Sequence, residues 1–122
     1  MKPYNELTDR GRQRRLLQLS RQVLQDYDLQ VRQVSFFAEE STTMFKVVTM
    51  YGEKYILRFY SDEDSSLAEN RTEMFWLNAL HRDTDLNVVE PVARRDGEMI
   101  TIASMEGIPP ERRCALYHWV PG

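Results

Sequence analysis

Two charged residues occur where their neighbours are apolar, and each could take part in binding an anion. Arg58 lies near the end of an apolar run at positions 55–60, and strand alternation places it on one face with Ile56 and Tyr60. A cation in such a position either extends its head to water or holds an anion. The pattern alone leaves both interpretations open.

Glu73 is the second charged residue within an apolar pattern. Steps of three and four residues from it reach Trp76, Leu77 and Leu80, so its carboxylate is in line with the predicted inward stripe of a helix. It lies about two turns into that helix, too far from the amino terminus for the helix dipole to stabilise it. A buried carboxylate normally needs a partner, and Arg58 is the candidate. A partly exposed Glu73 is the alternative.

The first element that must support these residues is a helix, predicted from about Thr8 to Tyr27. Leu16, Leu19, Val23 and Tyr27 recur at steps of three and four residues, which is typical of one apolar stripe. The arginines of this segment mostly lie off the stripe. They predict a solvated face, and contact with phosphate is the alternative.

A period of two then predicts three strands, at positions 31–37, 43–51 and 53–60, which are rich in Val, Phe, Tyr and Ile. Gly52 supplies a turn, so the second and third strands should form an antiparallel hairpin. Positions 38–42 join the first two strands. The three segments therefore predict a meander.

A second helix is predicted from about Ser66 to His81, since Ser66 and Glu69 have the spacing of a capping box. After it, β-type segments at 91–94 and 98–103 flank an Asp-Gly turn, 104–111 is predicted to be a loop, and 113–120 a last strand. That last strand is either an edge strand or a connector to a further element. The predicted class is α+β, a single domain over 1–122 with an antiparallel sheet of about five or six strands, an N-terminal helix and one further helix packed on it.

These features, in this order, resemble the amino-terminal, nucleotide-binding lobe of the aminoglycoside phosphotransferase and choline/homoserine kinase-like family, which has a protein-kinase-like fold. Positions 55–58 resemble the family's YVLR strand, and 72–80 are similar to its SELxWLxAL helix. Positions 82–86 and 90–92 match the segment after that helix, and 112–122 resemble the strand that leads into the interlobe hinge. The resemblance covers positions 16–122.

The resemblance implies a role for each matched residue. Arg58 takes the basic position that binds phosphate, and Glu73 orients it as its partner on the helix. Ile56 packs against the adenine, and Tyr117 lines the back of the adenine pocket. The main chain of His118 and of Val120 hydrogen-bonds the edge of the base.

The same resemblance places a loop over the phosphates, from Glu39 to Thr43. Its backbone amides and the hydroxyls of Ser41, Thr42 and Thr43 could bind phosphate. The loop contains no glycine and so lacks the Gly-rich cradle of protein kinases. An ordinary connection between two strands is an equally consistent interpretation.

The chain carries neither an HGDxxxxN-type loop nor the later metal-binding aspartate that this family places in a helical carboxy-terminal lobe. The resemblance therefore implies ATP as the nucleotide, with Mg²⁺ and a small hydroxyl acceptor bound through that lobe. It implies no catalytic residue and no metal ligand within 1–122, and no kinase activity for this chain alone. A non-catalytic adaptor that keeps the shape of the lobe is the alternative.

Composition limits the remaining classes. The net charge of −3 gives no global field towards nucleic acid or an anionic membrane, so neither is a predicted partner; a nucleic-acid module built on the arginine-rich first helix is the rival interpretation. The single cysteine, Cys114, and the lack of an apolar leader or of a run of roughly 18 apolar residues predict a cytoplasmic protein. Uncovered apolar surface at Ile56, Tyr117 and Trp119 is predicted to favour self-association.

Overall fold

The structure, a computed structural model, describes residues 2–39, 42–60, 66–83 and 90–119. A short 3-10 helix at Tyr4–Glu6 precedes the elements α1 (Asp9–Leu24), β1 (Val31–Glu39), β2 (Thr43–Thr49), β3 (Lys54–Phe59), α2 (Leu67–Asp83), β4 (Pro91–Val92), β5 (Thr101–Met105) and β6 (Ile108–His118). The predicted α+β class is confirmed, since the described ranges form one antiparallel six-stranded sheet and two α-helices.

The strand order shows how the end of the chain reaches the strand that carries Arg58. The order is β1-β2-β3-β6-β4, and β5 pairs with β6 away from this path. The predicted meander of β1, β2 and β3 is confirmed, with Gly52 in the turn at a φ of 83°. Because β6 pairs with β3, Ala115 lies opposite Arg58 and Tyr117 opposite Ile56.

The sheet has two faces of different character. The α1 face carries Phe45 and Leu57, which lie opposite each other and pack with α1 in the larger core cluster. The α2 face carries Lys46, Ile56 and Arg58, by the alternation of β2 and β3. Helix α2 packs on this second face through a smaller apolar cluster, whose buried members are Tyr60, Met74, Ile100, Ala115 and Tyr117.

Helix α1 forms as the sequence predicts. Thr8 caps it, because its hydroxyl accepts a hydrogen bond from the amide of Gly11 at 3.1 Å. All four residues of the predicted stripe are buried: Leu16, Leu19, Val23 and Tyr27. The side chain of Arg15 is not simply solvated, since its guanidinium donates to the carbonyl oxygen of Gly107 at 2.7 Å. One cation of the basic face thus anchors the helix to the β5–β6 turn.

Helix α2 is present, but its predicted inward stripe is wrong at Trp76, whose side chain is 59% exposed. Among the α2 side chains that the structure describes, Asn70 and Met74 are buried, and Leu77 packs against the cluster that contains Met74. The buried stripe contains a polar residue, which an apolar pattern does not register. The burial of this polar side chain is tolerated because the Asn70 oxygen accepts a hydrogen bond from the guanidinium of Arg113 on β6. The predicted cap is confirmed, since Ser66 accepts from the amide of Glu69 at 3.2 Å.

The segment 104–111, predicted to be a loop, belongs to a β-hairpin. Met105 pairs with Ile108 across a tight turn in which Gly107 has a φ of 89°. The prolines at 109 and 110 suggest a loop, but the ladder is irregular between Ala103 and Met105, and an irregularity of this kind accommodates residues without an amide hydrogen. β6 therefore begins at Ile108 rather than at position 113.

The Asp-Gly turn between the preceding segments is confirmed, with Gly97 at a φ of 88° and the amide of Arg94 donating to the carbonyl of Glu98 at 2.8 Å. The flanking strands are shorter than predicted: β4 ends at Val92 and β5 begins at Thr101. No helix in the described ranges has the length and apolar character that crossing a membrane requires.

Candidate functional site

Arg58 lies on the α2 face, half-buried, between β2 and β6. Its guanidinium carbon is 5.4 Å from the centre of the Tyr117 ring, so the aromatic face supports the cation. Its Nε is buried and has no hydrogen-bond partner among the described residues. This side chain therefore keeps an unsatisfied polar atom inside the protein, which is uncommon.

Behind Arg58 lies a pair of buried tyrosines. Tyr60 follows β3 directly, Tyr117 lies on β6, and their hydroxyl groups form a hydrogen bond. The amide of Tyr60 also donates to the carbonyl of Arg113 at 2.8 Å, which fixes the chain where it leaves β3. The predicted shared face of Ile56, Arg58 and Tyr60 is consistent with this packing.

The charges of Arg58 and Glu73 both shift the pKa values of this tyrosine pair. Burial raises the pKa of Tyr60; the bond to Tyr117 lowers it, the Glu73 carboxylate raises it, and Arg58 lowers it. Burial likewise raises the pKa of Tyr117 well above its ordinary value, with Tyr60 and Glu73 acting in the same direction and Arg58 against them. Both tyrosines therefore stay neutral at physiological pH, between a cation on β3 and a carboxylate on α2.

Arg58 and Glu73 thus face one cluster, although they do not touch. No ion pair of 4.0 Å or less joins them among the described residues. Glu73 is half-buried, as the helix pattern allowed. The structure brings the two side chains to the same side of the sheet and places Tyr60 and Tyr117 beside both, which the sequence did not reveal.

Ile56 lies on the α2 face beside an aromatic and cationic cluster, which we call the Trp119 cluster and which consists of Phe37, Lys46 and Trp119. The indole packs edge-on against Phe37 with ring centres 5.0 Å apart, and the Lys46 Nζ lies 4.9 Å from the indole centre. The Trp119 amide donates to the carbonyl of Lys54 at 3.1 Å. The indole therefore extends from β6 across β3 and β2 towards β1.

The prediction that Tyr117 contributes to an uncovered apolar surface is wrong, because its side chain is buried. Tyr117 is only 3% exposed, and Ile56 and Trp119 are both half-buried. The tyrosine is covered because Met74 and Ala115 pack around it in the smaller core cluster. The three residues do not form an open apolar surface, and self-association stays a prediction.

At the end of β6, one of the two predicted base-edge residues is described. The amide of His118 donates to the carbonyl of Glu90 at 2.9 Å, so this backbone donor is already used within the protein. The imidazole packs on Tyr55 at 5.0 Å between ring centres. Val120 lies outside the described residues, and its predicted role stays a prediction.

The proposed phosphate loop is described only at its ends, since Ser41 lies outside the described residues and Thr42 follows it as a bend. Thr43 lies opposite Phe59 and therefore on the α1 face. Its hydroxyl donates to the Glu39 carboxylate at 3.4 Å. The structure thus does not bring the Thr43 side chain to Arg58, because strand alternation turns it to the other face.

No group of three His, Cys, Asp or Glu in the described part of the chain could hold a metal ion. Cys114 lies in the core, where burial raises the pKa of its thiol to about 12, so it is not a nucleophile at neutral pH. The α2 face combines a guanidinium whose buried Nε has no hydrogen-bond partner among the described residues with the half-buried apolar side chain of Ile56.

Comparison with protein-family profiles and with curated proteins gives no match. Among solved structures, the chain is similar to a microcompartment-associated aminopropanol kinase, with 22% identity and a TM-score of 0.72 over 84% of this chain. It is also similar to an amicoumacin kinase solved with AMP-PNP and Ca²⁺, with 21% identity and a TM-score of 0.72 over 86% of this chain. The chain has the fold of a kinase-like small lobe, which confirms the predicted fold.

The chain spans 31% of the length of each of these two kinases. The likeness therefore concerns about a third of each of those chains. Activity and acceptor specificity of the two neighbours are properties of their whole chains.

Proposed function

We propose that this chain is the nucleotide-binding lobe of an ATP-dependent small-molecule phosphotransferase. The reaction would transfer the γ-phosphoryl group to a hydroxyl of a small acceptor such as an aminoglycoside, homoserine or a choline-like compound. The single observation that carries the proposal is Arg58, a cation with a buried, unused donor on the face that α2 and Glu73 also approach. The shared fold with two small-molecule kinases supports it.

Arg58 supplies what a nucleotide's phosphates need from this lobe. The guanidinium keeps its charge at any working pH and offers a planar fork of donors. One side of the fork can bind a phosphate oxygen while another turns to Glu73, which lies near the same tyrosine pair. The hydroxyls of the two buried tyrosines bond to each other, and the Arg58 Nε has no hydrogen-bond partner among the described residues.

The other residues would bind and orient the base. Ile56 gives an apolar strand surface beside Arg58, and the carbonyl of His118 gives an acceptor at the end of β6. Mg²⁺, when bound, neutralises charge on the transferred phosphoryl group. Its ligands and the residue that orients the acceptor hydroxyl are assigned to a carboxy-terminal lobe, and this chain alone is expected to be inactive.

The test uses the polypeptide encoded by the complete reading frame and measures MgATP binding by isothermal titration calorimetry. Arg58→Met keeps much of the side-chain stem and removes the charge, so we expect MgATP affinity to fall at least about tenfold. Arg10→Met is the matched control, because Arg10 is an exposed residue of α1. Its affinity should equal that of the wild type.

Three results would contradict the proposal. Absence of nucleotide binding by the full polypeptide would favour the adaptor alternative. Equal affinity of the Arg58→Met and wild-type proteins would remove the assigned role of the cation. Phosphorylation of an acceptor by the 122-residue chain alone would refute the division of labour between two lobes.

A further inference from the structure

We propose that Lys46 is a second cation of the nucleotide site, one that leaves the Trp119 indole for a phosphate oxygen when the nucleotide binds. This inference rests on the proposed function. It extends that function by assigning to the polyphosphate two cations, one from each of two adjacent strands. Lys46 belongs to β2, and neither the strand pattern nor the family resemblance singles it out.

The register of the sheet places Lys46 next to Arg58. Lys46 pairs with Ile56, and Arg58 lies two residues farther along β3, opposite Met44. Lys46 and Arg58 are therefore diagonal neighbours on one face, a relation in which residues are about 7–8 Å apart and long side chains meet a common partner. A chain of phosphates is large enough to contact both heads.

Neither cation forms a close ion pair with a carboxylate of the described residues. In the ranges that the structure describes, no ion pair of 4.0 Å or less includes Lys46 or Arg58. Two such like charges on one face repel each other, and an anion between them would relieve the repulsion. A polyanion that contacts both cations would therefore bind favourably on this face.

The contact that Lys46 does make is one it can give up. Its ammonium lies 4.9 Å from the centre of the Trp119 ring. An attraction to an indole at a half-exposed site is weaker than a charge-assisted hydrogen bond to a phosphate oxygen. A phosphate within reach would therefore take the ammonium from the ring.

The indole itself is held by other contacts and does not depend on Lys46. Phe37 packs against it edge-on, and its backbone amide is anchored to Lys54. Loss of the lysine head should leave the ring in place beside Ile56. The Trp119 cluster thus keeps its apolar part while the cation changes partner.

The experiment compares a ligand that carries phosphates with one that lacks them. The affinities of the full polypeptide for MgATP and for adenosine are measured by calorimetry, in the wild type and in Lys46→Met. We expect MgATP affinity to fall about tenfold and adenosine affinity to change by less than about twofold, since only the first ligand carries phosphate. Lys46→Arg should restore MgATP binding, because it restores the charge.

Lys54→Met is the matched control. Lys54 also lies on the α2 face by alternation, and its replacement by Met removes the same charge as Lys46→Met. It lies four residues from Arg58 along β3, however, which is about 13 Å. Its MgATP affinity should stay within about twofold of the wild type. An equal loss in Lys54→Met would show that only the general charge of the face matters and would overturn the assignment.

The remaining outcomes separate the two proposals. Unchanged MgATP binding by Lys46→Met, with normal loss in Arg58→Met, would overturn the role of Lys46 and leave the proposed function standing. Equal losses for MgATP and adenosine would show that Lys46 supports the fold instead of binding phosphate. A wild-type polypeptide that binds neither ligand would overturn the proposed function, and this inference with it.

Discussion

The two faces of the sheet are built from the same strands and do different work. On the α1 face, Leu19, Phe45, Leu57 and Leu116 are fully buried, and the helix meets the sheet through apolar side chains. On the α2 face, apolar contacts are confined to a smaller cluster, and charged residues share the surface with aromatic rings. Ile56 and Leu57 are adjacent in the chain, yet Ile56 lies on the α2 face and Leu57 on the α1 face.

The difference shows how a small domain can keep unsatisfied charge on its surface without losing its fold. The α1 face supplies most of the apolar burial, so the α2 face can hold Arg58 and Lys46 without neutralising carboxylates in the described ranges. A binding face needs groups whose partners arrive with the ligand. The opposite face must therefore carry the stability.

The largest expected effect tests this division directly. Leu57→Ala should lower the free energy of unfolding by about 3 kcal/mol, because Leu57 is 0% exposed and its truncation leaves a cavity. Ile56→Ala, one residue away on the half-buried α2 face, should cost about 1 kcal/mol. Urea unfolding followed by circular dichroism measures both. Equal losses would show that the two faces contribute alike.

A smaller effect concerns alkaline pH. Burial raises the pKa of Tyr27 on the α1 side to about 12, so between pH 10 and 12 the unfolded chain loses this proton more readily than the folded one. Stability due to Tyr27 is complete below pH 10 and is lost as the pH rises, by about 1–2 kcal/mol at pH 11. The stability of Tyr27→Phe should fall less steeply with pH, as measured by urea unfolding at pH 8, 10 and 11. Parallel curves for the two proteins would contradict this.

The smallest effect concerns the tyrosine pair on the α2 face. Tyr60→Phe leaves the buried hydroxyl of Tyr117 without its partner and should cost about 1 kcal/mol. The double variant Tyr60→Phe/Tyr117→Phe should cost less than the sum of the single variants, because no hydroxyl is then left unpaired. A double-mutant cycle from unfolding data measures this coupling. Strict additivity would show that the two hydroxyls do not interact.

The sequence predicted the α1 face better than the α2 face, for a physical reason. Burial by apolar side chains leaves a periodic signal, and the stripe of Leu16, Leu19 and Val23 is buried as that signal indicates. On α2, the buried position is Asn70, whose polarity is satisfied by Arg113 from a strand more than forty residues away. A contact between two polar residues from distant segments has no period to detect.

The candidate site was predictable in part for the same reason. Arg58 and Glu73 stood out because each interrupts an apolar pattern, and both approach the same tyrosine pair. Lys46 and Phe37 did not stand out, because a lysine and a phenylalanine are ordinary residues in strands. Their importance depends on register: β2 sets Lys46 beside Ile56, and β6 returns to bring Trp119 over them.

One extra residue in β1 gives the domain a ring on each side of the sheet. Phe36 lies opposite Phe45 and Ala38 opposite Met44, so Phe37 is an additional residue in the strand. Phe36 contacts Phe45 of the core at 6.2 Å between ring centres, whereas Phe37 contacts Trp119 at 5.0 Å. A shortened strand lacking Phe37 would keep the pairing on both sides of the gap and remove only the ring that steadies Trp119. The interior and the ligand-facing surface could therefore change independently at neighbouring codons.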